Sequence, residues 1–250
     1  MDIQTKLDRT WDFCINTFGK DRCIALCLHG SQNYNCAMPD SDVDAKLILA
    51  PTWDEVVHNI RPQSETRTSP YGDVNVVDVR LFIGVNLRKQ NFNFIECLFT
   101  PYHCVNDAYA DLWNELLEHR EIIAHYKPGL AVSTMVGQAN NQNTRWGRFD
   151  DKKTLYHMMR ITEAIRKYCL GYAFEDTLIP DNLDEIMAVR QGKVSQEDME
   201  KIFKEKYHQA LSWLDYATQV QSFEVPADDI MEHLQTQFVY RALYELRVLE

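Results

Sequence analysis

LHGSQNYNCAMPDSDVDAKLILAP, residues 28–51, sets a Gly-Ser step directly after one apolar run and two aspartates at the head of another. The run before it, RCIALCLHG (22–30), reads as a buried strand ending at Gly30, and VDAKLILAP (43–51) as a second strand stopped by Pro51. Strand residues i and i+2 share a face with Cα atoms roughly 6.5 Å apart, so Asp42 and Asp44 present two carboxylates side by side. Without a counter-charge such a pair raises its own pKa values and destabilises the fold. Two Mg²⁺ ions would remove that cost; in two-metal sites the ions lie about 3.5–4 Å apart and clamp the attacking and leaving oxygens of a displacement at phosphorus. Gly30 and Ser31 supply the complementary half, backbone N–H groups and a hydroxyl for phosphate, with no Cβ at Gly30 to hold the anion away. The competing reading makes Ser41-Asp42 a plain turn and Asp44 a half-exposed strand residue. The upstream Gly-Ser step favours the metal and phosphate reading.

Working outward, Ile3, Leu7, Trp11 and Ile15 predict a helix over 2–18, and Thr52 caps a short helix in WDEVVHNI. RPQSETRTSPYG (61–72) carries turn residues and reads as an exposed loop, DVNVV (73–77) as a third strand and VRLFIGVNLRK (79–89) as a helix. A further helix is expected around 105–125. Beyond 127 strand-like runs vanish. Leu155, Met158, Met159, Thr162, Ile165 and Cys169 form one helical stripe, Ser195 opens a helix with an acidic first turn, and DDIMEHLQTQFVYRALYEL is a last helix. The expected fold is α+β: a mixed sheet with helices at 1–125, then an all-helical domain at 127–250.

The 250 residues suffice for one large or two small domains. A net charge of −11 argues against non-specific DNA binding, which needs a basic surface to displace counterions. No apolar run approaches the roughly 18 residues of a membrane span. The first residues lack the pattern of a signal segment, and seven irregularly spaced cysteines suggest a reducing compartment, so a cytoplasmic location is expected. Cys23, Cys27 and His29 alternate along a strand and read as packing, not as a zinc site.

One segment runs against the acidic balance. Between 145 and 167, Arg145, Arg148, Lys152, Lys153, Arg160, Arg166 and Lys167 outnumber Asp150, Asp151 and Glu163. Lys153, His157 and Arg160 fall at i, i+4 and i+7, a face distinct from the apolar stripe and suited to a triphosphate. Read alone, the same face is an ordinary solvated one. NNQNTRW (140–146) is polar enough to read a base or an acceptor, or to be a loop.

Gly-Ser, a loop with Pro39, then Ser-Asp-Val-Asp resembles the DNA polymerase beta-type nucleotidyltransferases, and among them a branch of predicted nucleotidyltransferases sometimes associated with RNA repair. DVNVVDVRLFIGVNLRKQNFNFIECLFTPY stands where that branch has a third aspartate, a helix and a Glu-x-Leu-Phe-Ser-Pro-like stretch. Lys153, His157 and Arg160 match its Lys-x-x-x-His-x-x-Arg helix, and IPDNLDEIMAVRQGKVS a later stretch, so the resemblance covers about residues 25–220. Asn35 stands where relatives often have Gly, and QNFNF replaces a loop that usually contains Asn-Pro.

The resemblance implies transfer of an NMP from an NTP to an acceptor hydroxyl, with RNA one candidate acceptor and a protein or small molecule the alternatives. A nucleotide-binding sensor on the same fold is the non-catalytic alternative. Asp42, Asp44 and a third carboxylate would hold two Mg²⁺ (or Mn²⁺) ions. Asp73 opens the third strand and matches the family's aspartate; Asp78 is the alternative, either as ligand or as a mere helix cap. Lying five apart, the two face opposite sides of a regular strand and cannot both serve. Glu96 reads as a core-edge acid or as a buttress of the site.

Overall fold

The computed structural model describes residues 1–39, 41–219 and 227–246. Among them a five-stranded mixed sheet, β1 (Cys23–Leu28), β2 (Ala45–Leu49), β3 (Ser64–Ser69), β4 (Gly72–Asp78) and β5 (His103–Val105), runs in the order β3-β4-β2-β1-β5. β2 and β4 pair parallel, and every other pair is antiparallel. All of β1 and β2 is buried because both sheet faces are covered. On one face lies α1 (Ile3–Phe18), started by the Asp2 side chain accepting from the Thr5 N–H. Its Leu7 and Cys14 pack on Leu26, Leu28, Leu47, Val74 and Val76.

The alternate residues Ala25, Cys27, Ile48 and Val77 face the other way, into a core shared with the helices. By the same alternation Asp44 and Lys46 lie on that second face. α2 (Trp53–Val57) carries a full capping box between Thr52 and Glu55. After β4 come α3 (Val79–Leu81), a π-helical segment Phe82–Leu87 and α4 (Phe92–Ile95). The remaining helices are α5 (Ala110–Glu118), α6 (Arg120–Ala124), α7 (Pro128–Arg145), α8 (Asp151–Cys169), α9 (Phe174–Leu178), α10 (Leu183–Arg190), α11 (Gln196–Ser212), α12 (Leu214–Gln219) and α13 (Ala227–Tyr240). Asp150 caps α8, whose Leu155, Met158, Met159, Thr162 and Ile165 are buried as the stripe predicts. The second core runs from Ile24 to Phe238 without a break at 125–127.

The expected loop at 61–72 is corrected: it contains β3. Five of that strand's six residues are exposed, so SETRTS carries no apolar alternation by which a strand is read. The short β5 was likewise not expected, and the 79–89 segment is α-helical only at its start.

The topology sets one edge apart. β1 ends where its antiparallel partner β2 begins, and β4, parallel to β2, begins there too. Three strands therefore deliver Gly30-Ser31, Asp42-Asp44 and Asp73 to the same end of the sheet.

Candidate active site

At that end the chain leaves β1 through Gly30, whose φ of +89° is open to glycine and strained for other residues, into a tight helical turn Ser31–Tyr34. Asn35 closes the turn in the left-handed conformation at φ 57°, ψ 22°. Asn is among the few side chains that tolerate this conformation. The returning segment is held by His29 N–H to Asp44 O at 2.9 Å and Val43 N–H to Tyr71 O at 2.9 Å. The Asp73 N–H donates to Asp44 Oδ1 at 3.1 Å, and Thr68 Oγ1 to Asp73 Oδ1 at 3.1 Å. Burial lifts the Asp44 carboxyl above its usual range, with repulsion from Asp42 and Asp73 adding to it, while the Asp73 amide and Lys153 pull the other way.

Asp78 stands apart from this group, at the far end of β4. It caps α3 and is paired with Arg80 at 2.6 Å, so its chemistry is spent structurally. Asp73, not Asp78, stands beside Asp44, at the end of β4 where the cleft opens.

Two adjoining cavities of about 480 and 400 Å³ lie between the sheet edge and the helices. Their shared wall is His29, Gly30, Lys153 and His157. The larger holds Ser31, Asp42, Asp44, Lys152, Tyr156 and Arg190; the smaller holds Tyr34, Asn93, Gln142, Arg145 and Arg160. The Lys153, His157 and Arg160 face of α8 thus meets the Gly-Ser turn across one cleft. Burial pushes His157 down to about 3, helped by the positive charges of Arg160, Lys153, Arg145 and Arg190. The buried imidazole is therefore neutral. Arg160 is 6% exposed, its Nε and Nη1 have no hydrogen-bond partner, and its guanidinium lies 4.0 Å from the Tyr34 ring centroid. Arg166 and Lys167 belong elsewhere: both pair with Asp181.

Behind the turn lies Glu96, fully buried, which is hydrogen-bonded to His29 Nδ1, accepts from the Tyr34 hydroxyl and is approached by the Gly30 N–H. Burial raises its carboxyl well above the usual range. Arg190 donates to Cys36 O and stacks on Tyr156, 4.6 Å from its centroid, tying α10 to the turn. Lys46, 5% exposed, lies over the Phe94 ring on the face that carries Asp44. His29, Tyr34, Arg190 and Lys46 were not expected at the site. Only the apolar setting of His29 and Lys46 within strand sequences could have drawn attention to them.

The donor chemistry of Asp42, Asp44 and Asp73, carboxylate oxygens, is the kind a hard divalent cation takes. Among the described residues no three His, Cys, Asp or Glu side chains converge closely enough to hold a metal ion, so the carboxylates approach without forming a closed ligand set. Also among the described residues, no helix is long and apolar enough to cross a membrane.

Neither a protein-family model nor a curated protein matches the chain. Among solved structures it is similar to the crystal structure of a nucleotidyltransferase-like protein from Exiguobacterium sibiricum 255-15. Identity is 14% over 98% of this chain and 80% of that one, with a TM-score of 0.30. A likeness that distant carries no functional inference, so the chemistry has to rest on the cleft itself.

Proposed function

We propose that this protein is a Mg²⁺-dependent nucleotidyltransferase that moves an NMP from an NTP to an acceptor hydroxyl and releases pyrophosphate. The observation that carries this reading is the placing of the Asp42 and Asp44 carboxylates and the cationic Lys152, Lys153 and His157 face of α8 around one cleft. A triphosphate with its cations satisfies both walls at once. In this reading Asp42, Asp44 and Asp73 hold the metal, which supplies charge neutralisation at the reacting phosphate. Gly30 and Ser31 bind the β and γ phosphates through backbone N–H groups and the hydroxyl. Lys153, His157 and Arg160 take the remaining charge from the α8 side. The acceptor oxygen forms its bond to the α-phosphorus as the bond to the bridging oxygen of pyrophosphate breaks, and Asp73 receives the hydroxyl proton. Positioning and charge supply most of the rate in such a transfer.

The test is incubation with each α-³²P-labelled NTP, Mg²⁺ or Mn²⁺ and total cellular RNA, beside protein-only and Asp42→Asn/Asp44→Asn controls. Label on RNA that disappears in the double variant supports an RNA acceptor; label on protein alone supports protein modification. A double variant with full activity sinks the proposal. RNA as acceptor also requires binding that weakens steeply with salt.

A nucleotide-binding sensor is the second reading. It predicts NTP binding with no pyrophosphate released by any acceptor.

A further inference from the structure

We propose that Glu96 is a positioning residue that fixes the Gly30-Ser31 turn, and through Tyr34 the Arg160 guanidinium, in the shape that grips a polyphosphate; this rests on the nucleotide-binding reading above. Its partners come from positions 29, 30 and 34, so one carboxyl group holds the strand end, the glycine and the exit of the turn. Gly30 holds a conformation few residues adopt, and its carbonyl accepts from the Asn33 N–H at 3.0 Å. The Tyr34 hydroxyl that binds Glu96 anchors the ring on which Arg160 rests, at 4.0 Å. Gly30 belongs to the sheet and Arg160 to α8. Glu96 therefore registers the two walls of the cleft against each other, although none of its own surface reaches solvent.

Gln would replace one carboxyl oxygen by an amide N–H₂, which cannot accept from the Tyr34 hydroxyl or the Gly30 N–H. A side chain present only to fill space would not be matched to donors in this way. Removing the Tyr34 hydroxyl or one Glu96 carboxyl oxygen leaves buried polar groups mispaired and frees the turn, and we expect polyphosphate affinity to fall about tenfold or more.

The experiment is calorimetric titration of inorganic tripolyphosphate and of each NTP, with Mg²⁺, into wild type, Glu96→Gln, Tyr34→Phe and Ile165→Val. The last loses buried volume in α8 away from the cavities and controls for lost stability. The Gly30 amide proton is followed by NMR in the same proteins. The expected result is wild-type affinity in Ile165→Val, an approximately tenfold loss in Glu96→Gln and Tyr34→Phe, and a displaced Gly30 amide resonance. Tyr34→Phe carries the test should Glu96→Gln fail to fold. If both variants bind like wild type, or if affinity merely tracks melting temperature through Ile165→Val, Glu96 is a core residue and the proposal falls. Should wild type bind neither tripolyphosphate nor any NTP, the nucleotide reading itself is overturned.

Discussion

Burial makes the ionised form of Asp44 costly in the fold. Its carboxyl is raised in the fold relative to the unfolded chain, so the folded form is favoured while the group is protonated. That advantage is lost as pH rises through the folded value, which leaves a penalty at neutral pH. Asp44→Asn should therefore melt higher than wild type at pH 7, with the difference shrinking on acidification to below pH 4. Mg²⁺ should raise the wild-type melting temperature and leave Asp44→Asn nearly unmoved; scanning calorimetry at two pH values reads both. Gly72 makes a second, steric point. A Cβ there would meet Val43 O at 2.6 Å, backbone that cannot swing aside. Gly72→Ala should push the segment between Asp42 and Asp44 off its position, lowering stability by about 1–3 kcal/mol and weakening Mg²⁺ binding, as thermal melts with and without the cation would report. The residues legible in the sequence were those whose spacing is local: Asp42 with Asp44, Gly30 with Ser31, and Lys153, His157 and Arg160 on one helix. His29, Tyr34 and Arg190 were not legible in these roles, because the contacts that define them span 67, 62 and 154 positions.

At the scale of elements, α8 carries both a buried stripe and the cationic cleft wall, and its pH behaviour follows from that double duty. His157 is depressed to about 3 in the fold against about 6.5 unfolded, so between these values the unfolded chain binds the extra proton. Stability supplied by the neutral imidazole is complete above pH 6.5 and declines as pH falls toward 3. His29 is lowered in the same direction, chiefly by burial. The wild type should thus lose stability between pH 6.5 and 5 more steeply than His157→Gln, by at most about 1.4 kcal/mol per pH unit, in urea melts across that range. Tripolyphosphate bound beside the imidazole would offset the surrounding cations. Binding at pH 5 should then be accompanied by proton uptake, measurable by calorimetry in buffers of different ionisation enthalpy, and His157→Gln should take up less. The elements themselves were unevenly readable. Both buried strands and α8 announce themselves through apolar runs or a stripe, whereas β3 is held by pairing to β4 and shows no apolar pattern.

Across the whole molecule, the core that lies under the second sheet face continues into the helices, from Ile24 through Leu155 to Phe238. The sheet cannot cover that face by itself, since α1 lies on the other side. Leu155→Ala should cost about 2–5 kcal/mol and lower one shared transition, seen identically by circular dichroism and by intrinsic fluorescence. Residues 1–125 expressed alone should expose the apolar face and aggregate. The α+β class was legible from the change of texture near 127, but the continuity of the core was not, because it depends on which helices return to the sheet.

The two ends of the sheet differ in a way that bears on how this chain can change. At one end three strands converge on the cleft. At the other, Asp78 is neutralised by Arg80 and Arg22 by Glu55, and the exposed His58 to Arg61 segment joins α2 to β3. Sequence can accumulate there without touching the reacting groups. That rim is where added segments, such as a tether to a partner enzyme or a reporter used in the laboratory, would be accommodated at least expense to turnover.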